Sequence, residues 1–185
     1  MPTKHKLNMK KDTSCTNPNE IIDKVWKMTS EQRDIRSIYE LSKNANHITF
    51  MGRVGEGVIA PIKAQTDFIR IYRDEVTQDF LVYGTLSKQL GLNYHFFANK
   101  INEWNPQEDD KPNDAMTDIL VLQFENDEET LLAVAKYKHL ARKYLLIYNT
   151  HKICHEINTR ISGSFETTYF ENQNESFAVY TKINP

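Results

Sequence analysis

Between Ile119 and Asn149 the chain reads ILVLQFENDEETLLAVAKYKHLARKYLLIYN, and this stretch limits the fold more than any other. ILVLQF and KYLLIY are apolar runs of strand length, and the residues between them follow a helical pattern. Two strands joined through a helix lie parallel, and near-continuously apolar strands require cover on both faces. The expected fold is therefore α/β: a three-layer, doubly wound, mostly parallel sheet with helices on both faces.

The rest of the chain continues the alternation. A helical face of Ile21, Ile22, Val25 and Trp26 follows Asn17-Pro18-Asn19, and Thr29-Ser30-Glu31-Gln32 offers a capping-box start for a second helix running to about Lys43. HITFMG (His47 to Gly52) predicts a strand, broken by the glycine-rich RVGEG before a helix from Val58. DFLVY (Asp79 to Tyr83) predicts another strand, and Leu86, Leu90, Tyr94 and Phe97 predict the helix after it, with Tyr94, His95, Phe96 and Phe97 as core aromatics. A polar loop covers Asn105 to Asp118, and a helix is expected from about Glu128 to Arg142. A short helix around Lys152 to Asn158 and a pair of strands, FETTYF and ESFAVYT, close the chain.

The 185 residues suit one domain over 19–185 behind a Lys-rich flexible tail at 1–18. With 23 basic and 25 acidic residues the net charge is −2, which supplies no field to gather DNA or an anionic membrane. Two distant cysteines and the lack of a long apolar run point to a reducing cytoplasm. His151, Cys154 and His155 in HKICH could share a helix face, but without a second Cys/His pair no metal site is expected.

In a doubly wound sheet the ligand sits beyond the carboxyl ends of the strands. That directs attention to the turns at Gly52 to Gly57, Glu125 to Thr130 and Asn149 to Lys152. The candidate ligand-binding residues are Gly52, Arg53, Gly55, Glu56, Glu125, Asn126, Asp127, Thr130 and Thr150. No spacing demands a catalytic acid and base, and no cofactor is implied.

HITFMGRVGEGVIA and, further on, DILVLQFENDEETLLAVAKYKHLARKYLLIYNT resemble the SIS (sugar isomerase) domain, in the version found in RpiR-type sugar-phosphate-responsive regulators. The resemblance implies an SIS-type sheet and a phosphosugar site in which serines and backbone N–H groups hold the phosphate. Glu56, Glu125 and Asp127 stand where the family has serines, and ionised carboxylates cannot donate to phosphate. Acids in a helix's first turn favour its dipole by about 0.3–1 kcal/mol each, which accounts for Asp127, Glu128 and Glu129 but not for Glu56 in another loop. The site therefore reads as degenerate. The implied function is a non-catalytic sugar-phosphate sensor or regulatory protein, with weak or absent sugar-phosphate binding, acting through a homodimer or a protein partner. The alternative is a sugar-phosphate isomerase or binding module rebuilt around Arg53, Asn126, Thr130 and Thr150. The family's helix-turn-helix domain has no counterpart in the 46 residues before the first strand, so direct DNA binding is not expected.

Overall fold

The computed structural model describes residues 17–98, 103–105, 115–149, 151–171 and 176–183. Two helices come first, α1 (Pro18–Thr29) and α2 (Arg33–Ser42). The Asn17 side chain caps α1 by accepting the Asn19 N–H at 3.1 Å, and Pro18 fits the first turn, where its missing N–H costs nothing. The capping box expected at Thr29 does not form: the Thr29 hydroxyl donates back to the Val25 carbonyl at 3.0 Å and finishes α1 instead.

Strand β1 (His47–Gly52) leads through a 3-10 turn, Glu56–Val58, into the short helix α3 (Ile59–Ala64), which Gln65 ends with a left-handed φ of 59°. Then come β2 (Phe68–Arg73), α4 (Gln78–Gln89), β3 (Asn93–Ala98), β4 (Thr117–Gln123) and α5 (Asp127–Tyr137). Strand β5 (Ala141–Asn149), helix α6 (Cys154–Ile161) and the strands β6 (Phe165–Glu171) and β7 (Ser176–Lys182) complete the chain. They form one seven-stranded sheet in the order β3-β2-β1-β4-β5-β7-β6. Every pairing is parallel except those of β7, which runs antiparallel to both β5 and β6.

The α/β class, the mostly parallel sheet and the terminal pair of strands agree with the sequence patterns. Two expectations need correction, and one strand is unmarked by the sequence patterns. FIRIYR, which carries two arginines, is strand β2. DFLVY lies inside helix α4, whose Phe80 and Tyr83 are buried while Leu81 and Val82 are exposed, so its apolar run wraps round a helix. Tyr94 to Phe97 belong to the edge strand β3, where His95 stacks on Phe68 and Phe97 on Tyr72. The expected tail falls almost wholly, and residues 106–114 of the expected loop wholly, outside the described residues.

Alternate residues of the central strands feed two cores. Ile48, Phe50, Ile69, Ile71 and Val121 pack with α1, α2, α3 and α4, while Met51, Tyr72, Leu120, Leu122 and Ile147 pack with α5 and α6. Each fully buried aliphatic or aromatic side chain contributes about 1.5–3 kcal/mol relative to exposure, and that burial holds the strand ends in place. At the amino ends, Asp118 accepts the N–H groups of Asn46 at 2.8 Å and His47 at 3.3 Å, with Lys143 3.4 Å away. Burial pushes its carboxyl up, but these donors and the Lys143 charge outweigh that effect and hold it below 3.8. No helix among the described residues is long and apolar enough to cross a membrane.

Candidate functional site

Beyond the carboxyl ends, the chain leaves β1 for α3 on one face of the sheet and leaves β4 for α5 on the other. A crevice opens where the connections diverge, the position at which doubly wound sheets take ligands. Gly52 faces Gln123 in the register, with φ of 100°, and a Cβ there would run into the Gln123 carbonyl. Glycine is required at this point. The Arg53 N–H then donates to the same carbonyl at 2.6 Å, which locks the turn to β4.

Arg73, at the end of β2, braces the turn from the other side by donating to the Val54 carbonyl at 2.9 Å, its guanidinium over the Phe80 ring. Val54 is 1% exposed and sends its side chain into the core.

The cavity in the crevice measures about 70 Å³. Gly52 and Arg53 form one wall, Asp74 another, and Trp104, Phe124, Glu125 and Glu129 the remainder. Asp74 immediately follows β2 and reaches the cavity because β2 is the neighbour of β1. The buried Trp104 lies 6.2 Å from the Phe124 ring and 6.0 Å from Tyr72, and its carbonyl accepts the Tyr137 hydroxyl of α5 at 2.9 Å. Arg53 and Glu125 form an ion pair that joins the β1 turn to the β4 turn across the cavity. Their side chains are 50% and 55% exposed, and a pair so open to water is worth about 0–1 kcal/mol.

The structure thus brings together Gly52, Arg53 and Glu125 of the sequence candidates and turns others to structural work. The Asn126 side chain caps α5 by accepting the Glu129 N–H at 2.8 Å, and Thr130, 2% exposed, donates to the Asn126 carbonyl at 3.0 Å. Asp127 stands in the first turn of α5, where its charge suits the helix dipole. Glu56 accepts from the Gln32 side chain at 3.1 Å and does not line the cavity. Gly55 borders open space, and Thr150 lies outside the described residues. Glu56, Glu125 and Asp127 therefore do not converge on one point. Sequence reasoning missed Asp74, Trp104, Phe124 and Glu129; the signal for Asp74 was an acid directly after a second strand, visible only once FIRIYR is recognised as that strand. Among the described residues no three His, Cys, Asp or Glu side chains could hold a metal ion.

No protein-family model matches the chain, and no curated protein matches it in sequence. Solved structures do match. An O-methyltransferase family protein from Burkholderia thailandensis superposes with a TM-score of 0.58 at 10% identity, over 89% of this chain and 59% of that one. This chain thus spans less than two thirds of that neighbour's length. Magnesium protoporphyrin IX methyltransferase from Synechocystis PCC 6803, solved with bound SAM, gives 0.56 at 10% identity over 98% and 87%. A 1,6-didemethyltoxoflavin-N1-methyltransferase from Burkholderia thailandensis, solved with 1,6-didemethyltoxoflavin and S-adenosylhomocysteine, gives 0.55 at 9% identity over 99% and 94%.

These neighbours overturn the SIS and RpiR-like resemblance, and with it the sugar-phosphate sensor, the isomerase alternative and the sugar-phosphate partner. The physical reason is that a glycine turn and two apolar strands recur in doubly wound sheets generally. The expected strands HITFMG and DFLVY would make ILVLQF the third strand of the sheet, whereas it is the fourth. The chain has the Rossmann-like fold of the methyltransferases, with seven strands in the order β3-β2-β1-β4-β5-β7-β6.

Proposed function

We propose that the protein binds S-adenosylmethionine at the carboxyl ends of β1, β2 and β4 and is a methyltransferase. The observation that carries this reading is the charge of the cavity: Asp74, Glu125 and Glu129 line it against the single guanidinium of Arg53. Two unit charges of like sign 4 Å apart oppose each other by about 4 kcal/mol at an effective dielectric of 20, so such a wall disfavours a phosphate. A sulfonium cation is attracted by the same wall. The acidic turn that obstructs a sugar phosphate becomes complementary to this cofactor.

The residues fit the group in chemistry. Asp74, after β2, is an acceptor for ribose hydroxyls, the work done by an acid beyond the second strand in nucleotide-binding sheets. Gly52 lets the backbone approach the ligand without a side chain between them. Trp104 and Phe124 supply an apolar wall that excludes water and can cover an adenine ring. In volume, 70 Å³ is small beside the roughly 300–1,000 Å³ of a ligand site, so binding requires the side chains that border it, Arg53 and Glu125, to move apart. When bound, the cofactor supplies an electrophilic methyl on sulfur; the chain's part is to hold it, orient it and keep water away. A reducing cytoplasm, in which Cys154 stays a thiol, is the setting this reading takes.

Calorimetry with S-adenosylmethionine tests the proposal. The wild-type protein should bind with a micromolar Kd, and Asp74→Ala should weaken binding at least tenfold, about 1.4 kcal/mol, while its melting temperature stays close to wild type. Failure of the folded wild-type protein to bind would overturn it.

A further inference from the structure

The ion pair across the cavity has a second meaning, which rests on the reading of the site as one for S-adenosylmethionine. We infer that Arg53 is the group that selects a ligand carrying its own carboxylate, and that Glu125 is a resident competitor which occupies Arg53 and holds the mouth shut until such a ligand displaces it.

Arg53 and Glu125 come from the two turns that border the cavity, and both line it. A planar guanidinium recognises carboxylates well, and here its partner is a carboxylate of the chain itself. The backbone of Arg53 is fixed by its N–H bond to the Gln123 carbonyl, so the turn can keep its place while the side chain changes partner. Both side chains are half exposed, so water screens the resident pair and leaves it weak enough to exchange. The contrast with Glu129 supports the assignment. Its own N–H is engaged by the Asn126 cap, which ties it to α5, whereas Glu125 lies before the helix. Opening the mouth then costs one exposed ion pair, and a ligand with an amino-acid tail restores an equivalent pair. A nucleoside without a carboxylate gets no such return.

The test compares S-adenosylhomocysteine with its decarboxylated analogue, two ligands of the same nucleoside and amine that differ in the carboxylate alone. Calorimetry on wild type, Glu125→Ala, Glu125→Gln and Arg53→Ala gives the affinity ratio of the pair in each. In both Glu125 variants the ratio should rise about three- to tenfold in favour of the carboxylate-bearing ligand, and in Arg53→Ala it should fall towards one. A ratio unchanged in all three variants, with both ligands still binding, would overturn the inference and leave the proposed function standing. Absence of binding by either ligand to any form, with melting curves showing folded protein, would overturn both.

Discussion

Strands β1 and β4 are fastened to each other by a carboxylate at each end, and the two fastenings differ in kind. At the amino end Asp118, 6% exposed, accepts two backbone N–H groups from the segment entering β1. At the carboxyl end Glu125 meets a side chain, Arg53, and both are half in water. The Asp118 carboxylate is itself buried and serves two backbone donors at once, so its removal leaves both without that partner. The exposed one can be exchanged at little cost. The sheet is thus fastened by a buried carboxylate at its amino end and by an exposed one at its carboxyl end.

The largest effect should fall on the backbone at the adjustable end. Gly52→Ala combines a φ of 100° with an overlap of the new methyl on the Gln123 carbonyl, and should lower unfolding free energy by about 3 kcal/mol or more in urea. A loss under about 1 kcal/mol would mean that the turn itself is soft, and the comparison would lose its footing. Asp118→Ala comes next, at about 1–2 kcal/mol, with ligand affinity unchanged in the folded fraction.

The pH dependence sharpens the same contrast. The Asp118 carboxyl is held below 3.8 in the folded protein, so its contribution is fully present above that unfolded value and is lost as pH falls through the lower folded value. The stability difference between wild type and Asp118→Asn should therefore be constant near neutrality and shrink below about pH 4. The smallest effect belongs to Glu125→Ala, which should change stability by less than about 1 kcal/mol, and less again in high salt. A loss equal to that of Asp118→Ala would show that the exposed pair is structural.

Legibility in the sequence follows burial. Strands β1, β4 and β5 stand out as apolar runs because their residues are covered on both faces. Strand β2 does not, since Arg70 and Arg73 interrupt it. Arg70 is nevertheless 2% exposed, its guanidinium over the Phe68 ring, and long side chains can be buried in this way when their charge finds such partners. Strand β3 is an edge whose residues keep partial exposure, and its aromatics continue the spacing of Leu86 and Leu90, which imitates a helix. The site inherits these errors. Gly52, Arg53 and Glu125 lie beside strands that were recognised, whereas Asp74 could not be placed without β2, and Trp104 joins the site only through tertiary packing on Phe124 and Tyr137. The acids after β4 stand out in the sequence, but only the fold shows that Glu125 and Glu129 line one cavity with Asp74 and Arg53.

The charge of the cavity carries the central claim, and one titration tests it directly. S-adenosylmethionine and ADP share an adenosyl group and differ in carrying a sulfonium amino-acid tail or two phosphates, so their affinities measured in one buffer compare the two tails against Arg53, Glu125 and Glu129. The sulfonium ligand should bind at least tenfold more tightly, about 1.4 kcal/mol, with the gap narrowing as salt is added. ADP binding as tightly as S-adenosylmethionine, or more tightly, would contradict the account.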